Sequence, residues 1–228
     1  VEPGTESLQL TIDLFETTTD TSSLSVDRIH VFLDEQREDR IQIGEVFIVS
    51  NYGEHTVVAE HAGEPVLSFP LPEQAANLAF EDGALGQRFL ETDRGFGDVT
   101  AIPPGSGVYQ VMAYYTLPYQ GGKIEFIQEV NYPVGAVIVI TPVKSVQVKG
   151  TYLKDLGVRE IQNGSIHVYA GEEISRGGQL QFQISTGGDP MQSLVIEPLA
   201  ENPYLWLLLG MVGGVLLVAE GALRIVRR

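Results

Sequence analysis

The chain has no cysteine, one tryptophan and only 14 lysines and arginines against 30 aspartates and glutamates. The missing cysteine excludes disulfides, thiolate metal sites and thiol nucleophiles. The shortage of basic residues leaves a formal charge of −16. The stretch from Tyr204 holds Glu220, Arg224, Arg227 and Arg228; without it, 11 basic residues face 29 acidic ones, a balance of −18. Such a surface repels phosphate backbones and anionic lipid, so nucleic acid is not an expected partner. Solubility, or a cationic partner, fits that charge. There is no Gly-x-Ser-x-Gly elbow and no phosphate loop, and no carboxylate pair is fixed in space by its spacing, so an enzyme is not expected. No cofactor is expected either.

One long apolar run is present. Leu205 to Ala219 is uncharged, and Arg224, Arg227 and Arg228 follow it. Fifteen helical residues cover about 23 Å, and extension to Val226 supplies the length of a ~30 Å hydrocarbon core. Tyr204 and Trp206 stand where interface aromatics belong, and Asn202-Pro203 is a natural helix start. Glu220 and Arg224, four apart, pair along one face near the far interface. The reading is a single-pass transmembrane helix, 204–226, in the lipid bilayer. The arginines place the C-terminus (227–228) in the cytoplasm and the N-terminus outside. Gly210 and Gly214 form a G-x-x-x-G pair suited to close packing with another transmembrane helix, with Glu220 as a polar contact. The chain begins at Val1, so an export signal is expected to precede it.

The remainder reads as strands. Leu8 to Leu14, Ile29 to Leu33, Leu67 to Leu71, Val146 to Val148 and Leu180 to Ile184 alternate apolar with polar residues. Val46 to Val49 and Val137 to Ile140 are wholly apolar, as in strands covered on both faces, and Tyr109 to Leu117 is rich in β-formers. Turn residues stand between them: Asn51-Tyr52-Gly53, Glu81-Asp82-Gly83, Pro103-Pro104-Gly105, Gln120-Gly121-Gly122, Asn163-Gly164 and Gly187-Gly188. Asn163-Gly164 predicts a two-residue hairpin turn. Glu73 to Ala79 and Lys154 to Gly157 are expected as short helical turns, and residues 16–25 as a loop.

A faint repeat joins Ile102, Gly105, Val108 and Met112 to Ile174, Gly177, Leu180 and Ile184, at equal spacing. Val66 to Pro72 likewise echoes Val137 to Pro142. The expected fold class is all-β: two tandem or closely packed antiparallel β-sandwich units, followed by one C-terminal transmembrane α-helix. The units are expected at 1–122 and 123–187, with a stalk at 188–203.

Leu117-Pro118-Tyr119-Gln120-Gly121-Gly122-Lys123, followed by Tyr132-Pro133-Val134, resembles a segment of exported bacterial β-sandwich proteins of the carboxypeptidase-regulatory-like or Ig-like kind. The resemblance covers most of 25–187. It implies an extracellular or periplasmic accessory or interaction role and brings no catalytic residues.

Weaker site signals complete the reading. His55 and His61, with Glu54, Glu60 and Glu64, crowd one hairpin but match no zinc spacing, so no metal is expected there. His30 and His167 are expected half-exposed or hydrogen-bonded within strands. Acidic stretches at Asp34-Glu35 with Glu38-Asp39, at Glu81-Asp82, and at Glu91, Asp93 and Asp98 suit either calcium or plain solvation. Tyr109, Tyr114, Tyr115, Tyr119 and Tyr132 supply core or a patch for sugar or protein. The expected function is a membrane-anchored interaction or structural module with a protein partner. The alternatives are a glycan- or calcium-binding ectodomain and an accessory subunit or assembly factor of a membrane complex.

Overall fold

A computed structural model describes residues 13–37, 40–119, 122–142, 146–161 and 164–186. The transmembrane, stalk and orientation residues expected above, among them Tyr204, Trp206, Gly210, Gly214, Glu220, Arg224, Arg227 and Arg228, lie outside the described residues. So do Leu8 to Ile12 of the alternating stretch, whose described end, Asp13 and Leu14, is exposed and outside any strand.

The described chain is all-β, without a helix. Its strands are β1 (Thr17–Thr18), β2 (Leu24–Arg37), β3 (Arg40–Asn51), β4 (Thr56–Val57), β5 (Leu67–Pro70), β6 (Ala76–Phe80), β7 (Phe89–Thr92) and β8 (Gly95–Asp98). Then follow β9 (Gly105–Pro118), β10 (Lys123–Glu129), β11 (Val137–Pro142), β12 (Val146–Lys149), β13 (Leu153–Ile161), β14 (Gly164–Gly171) and β15 (Gln179–Thr186). A seven-stranded sheet runs β13-β14-β11-β2-β3-β9-β6. Two three-stranded sheets, β5-β8-β7 and β10-β15-β12, pack against its inner face, and β1 pairs with β4.

The large sheet draws β2, β3, β6 and β9 from before residue 122 and β11, β13 and β14 from after it. They meet at one parallel ladder, Val137 to Ile140 of β11 against Ile29 to Phe32 of β2. Its other neighbours are antiparallel. Each part of the chain also contributes one three-stranded sheet, and a single core spans both of these and the large sheet.

The core follows the strand period. Along β3, Ile41, Ile43, Glu45, Phe47 and Val49 point inward together. Phe47 meets Phe69 and Phe96 of the β5-β8-β7 sheet at 4.4 and 6.3 Å between ring centroids, and Phe80 of β6 stacks on Phe89 at 3.7 Å. In β10, Ile124, Phe126 and Gln128 face inward while Lys123, Glu125 and Ile127 face outward. Phe126 stacks on Phe182 of β15 at 4.4 Å.

Three local expectations are corrected. Of the expected helical turns, only Glu73 and Gln74 form a turn; residues 76–79 and 154–157 are in strands instead, because β9 and β14 offer each a ladder. Ile161 pairs with Gly164, so the β13–β14 connection is 162–163, one residue earlier than expected. In the 16–25 stretch, Thr17 and Thr18 pair with Thr56 and Val57, and β2 already begins at Leu24. The repeat falls on different layers: β5 and β11 lie in different sheets, as do β9 and β15. Even so, Ile102 and Ile174 each close an isolated antiparallel bridge, to Val57 and Val134, just before the glycine that leads into the strand.

Phe96 is fully buried, with ring centroids of Phe69, Phe80 and Phe89 within 6 Å. Phe96→Ala is expected to cost about 3–5 kcal/mol. Urea unfolding followed by far-UV circular dichroism checks this through a lowered midpoint at unchanged slope.

Candidate functional site

Period-2 patterning calls for an aliphatic side chain at position 45 of β3, and a carboxyl group stands there. Glu45 is fully buried. The side-chain amide of Gln128, on β10, donates to Glu45 Oε2 at 3.0 Å and to the Pro70 carbonyl of β5 at 2.9 Å. One amide thereby ties three sheets together. Tyr115 of β9 comes close enough to act on the carboxyl, but its hydroxyl does not reach hydrogen-bond geometry. Among the described residues, Glu45 Oε1, the Tyr115 hydroxyl and Gln128 Oε1 have no partner.

Burial pushes the Glu45 carboxyl up to about 8, against the opposing pull of Gln128 and Tyr115. The acid is therefore neutral at pH 7. Burial first, then the adjacent carboxyl, raises Tyr115 as well. The cavity bordering Gln128 measures about 10 Å³, at the lower limit for one water molecule and too small for a substrate. The cluster holds a proton between the layers, out of reach of any reacting group.

Two other sets of polar groups are consumed by the fold. Arg88 donates through Nε to Asp98 at 3.1 Å, through one terminal nitrogen to Asp82 at 2.8 Å and through the other to the Tyr109 hydroxyl at 2.8 Å. Tyr109 also donates to Asp98, and burial together with that carboxylate pushes its phenol up to about 12. Asp98 and Asp82, both expected in acidic loops, are thus committed to a guanidinium. Asn51, expected as a turn residue, uses its full hydrogen-bonding capacity. Its amide donates to the carbonyls of His55 and Ile102 at 2.8 and 2.9 Å, and its carbonyl accepts from Ser23 Oγ and the Gly53 N–H, both at 2.9 Å.

The outer face of the large sheet carries a second apolar cluster of Phe32, Val46, Ile138 and Ile140, packed by side chains of the same sheet. Tyr114 lies over Gly44, with ring carbons 3.4 Å from where a Cβ would stand. His30 belongs to this face. It is only 5% exposed, its Nε2 has no partner among the described residues, and its ring stands edge-on to Phe32. Burial, with Arg28 nearby, pulls it down to about 4. That corrects the expectation of a half-exposed or bonded histidine, whereas His167 does meet Asp155 Oδ1 at 2.6 Å.

Tyr114, Tyr115 and Tyr132 are buried and Tyr109 and Tyr119 partly so; they are core and clamp rather than a surface patch. His55 faces Glu16 at 3.4 Å. Among the described residues no three histidine, aspartate or glutamate side chains are placed to share a metal ion.

One surface concavity is built by the topology. β12 ends at Lys149, opposite Gln183, and the chain turns through Gly150 into the other layer. The Gln179–Gln181 stretch of β15 is thereby left without a strand on that side. A groove of about 230 Å³ opens there, floored by Val137, Leu153 and Leu180 and rimmed by Tyr152, Glu172 and Glu173. No sequence signal pointed to it, because it arises where one strand stops short of its neighbour.

No family model and no curated protein matches the chain. Among solved structures it is similar to an M1 zinc metallopeptidase from Deinococcus radiodurans, at 11% identity and TM-score 0.38, over 72% of this chain and 42% of that one. A two-domain M1 zinc metallopeptidase variant bound to L-tryptophan gives 11% identity and TM-score 0.38, over 72% and 43%. The chain spans less than half the length of these structures.

Two predictions follow from the buried groups. Glu45 titrates near 8 when folded and near 4.5 when unfolded, so its contribution is full below about pH 4.5 and is lost as pH rises to about 8. His30 runs the other way, its contribution lost as pH falls from 6.5 to about 4. The two slopes cancel between 4.5 and 6.5, and from 6.5 to 8 stability falls by about 1.4 kcal/mol per pH unit. Glu45→Gln is expected to flatten that upper decline, and His30→Leu to extend it down to 4.5, in urea midpoints measured across pH. Separately, Asn51→Ala is expected to cost about 2 kcal/mol in the same assay, because the His55 carbonyl, the Ser23 hydroxyl and the Gly53 N–H lose their Asn51 partner and the Ile102 carbonyl keeps only the Val57 N–H.

Proposed function

We propose that this chain is a membrane-anchored, extracytoplasmic β-sandwich module that works by contact with another protein. One observation carries the reading: a run of fifteen uncharged residues, Leu205 to Ala219, closed by Arg224, Arg227 and Arg228, stands C-terminal to an acidic all-β region. The chain is read as two packed sandwich units, 1–122 and 123–187, a stalk at 188–203 and a transmembrane helix at 204–226. The separate three-stranded sheet that each part of the chain supplies supports that division, and the large sheet and core that they share make the packing of the two units close. The commitment of Glu45, Asp98 and Arg88 to internal contacts supports a binding rather than a chemical role. Gly210, Gly214 and Glu220 supply a face for a neighbouring helix, which suits an accessory subunit of a membrane complex.

Fractionation of cells expressing the full chain tests the anchor. The protein is expected in the membrane pellet, resistant to alkaline carbonate, released by detergent, and cut within residues 13–186 by protease added outside the cytoplasmic membrane. A monomeric chain in the high-speed supernatant, or one shielded from that protease, overturns the reading.

A further inference from the structure

We propose that the groove between Tyr152 and the Gln179–Gln181 stretch of β15 seats an extended segment of a partner protein that presents a lysine or arginine side chain. This rests on the interaction reading above and specifies its surface. Glu172 and Glu173 both line the groove, and neither has an ion pair or hydrogen bond among the described residues. No lysine or arginine lines it. Two basic residues adjoin the lining in sequence: Arg176 is turned away to the Thr21 carbonyl at 2.9 Å and the Tyr132 ring, and Lys154 stands opposite Ala170 whereas Leu153 stands opposite Gly171, so the lysine is on the other face of β13. Tyr152 is 71% exposed and offers an aromatic face to a cation. The apolar floor suits the methylene stem of a long basic side chain, whose head then reaches the carboxylates at the rim.

The backbone argues for an extended partner. β10 covers one side of Gln179–Gln181, but the other side has no strand neighbour, and a strand laid there continues the line that β12 abandons at Lys149. A second copy of the chain is a poor occupant, since two molecules at −16 repel one another.

The probe is a capped heptapeptide of alternating threonine and valine with one central lysine. It is titrated into the isotope-labelled full chain in detergent micelles; its twin carries glutamate in place of the lysine. The lysine peptide is expected to shift the amide resonances of Leu153 and Gln179–Gln181 saturably, and the glutamate twin to leave them in place. A chain carrying both Glu172→Gln and Glu173→Gln, exposed positions where folding is undisturbed, is expected to bind at least about fivefold more weakly, as is Tyr152→Ala. Equal response to the two peptides, no response to either, unchanged affinity in the substituted chains, or self-association of the free chain through these residues would overturn the proposal. Fractionation decides the anchor and this titration decides the groove, so either can fail alone.

Discussion

The parallel ladder between β2 and β11 is the constraint on which the other strands depend. Val137 pairs with Ile29 and Ile140 with Phe32, and to each side of this seam the large sheet extends by antiparallel neighbours. Because β2, β3 and β11 are apolar on both faces, each builds an inner core and also holds the outer cluster of Phe32, Val46, Ile138 and Ile140. Without the seam, the strands before residue 122 and those after it would each keep a small sheet and only part of the large one.

Polar groups inside the molecule hold layers and loops in register where apolar packing alone does not choose between arrangements. Gln128 joins β10 to β3 and β5 through a neutral acid and a carbonyl. Asn51 fixes the end of β3 to the strands around Ile102. Arg88 gathers Asp82, Asp98 and Tyr109 at one edge of the core. Each is a hydrogen-bonded network with its charge balanced or suppressed, which is the form in which buried polar groups are tolerated.

Alternation and apolar runs made β3, β5, β9, β11, β12 and β15 legible from the sequence, because a period of two leaves its mark wherever one face is buried. Less was visible where a side chain broke the period for a structural reason. Glu45 reads as a polar interruption within β3, and only the opposed Gln128, far along the chain, explains it. Asn51 reads as a turn residue, since a turn signal and a buried hydrogen-bond hub use the same amide. β10 was missed because its glycine-rich approach resembles a linker. β6 and the first half of β13 were mistaken for helical turns because their apolar positions are few, and the ladder of β6 comes from β9, well along the chain. As for sites, the tyrosines were legible as core or patch, and their burial decides for the core. The groove, a product of where β12 ends, left no local mark.

The order in which the seam is assembled bears on how the protein is made. Ser25 already bonds across 108 residues to Pro133, and the β2–β11 ladder closes a loop of similar span. On a ribosome or an export channel, β2 and β3 emerge long before β11, with one edge of an unusually greasy sheet unpaired. Contacts that distant make for late, cooperative folding and an interval of vulnerability to mispairing. Delivery of such a chain in an unfolded state, with folding deferred until its second half has arrived, suits this topology better than piecemeal folding during synthesis.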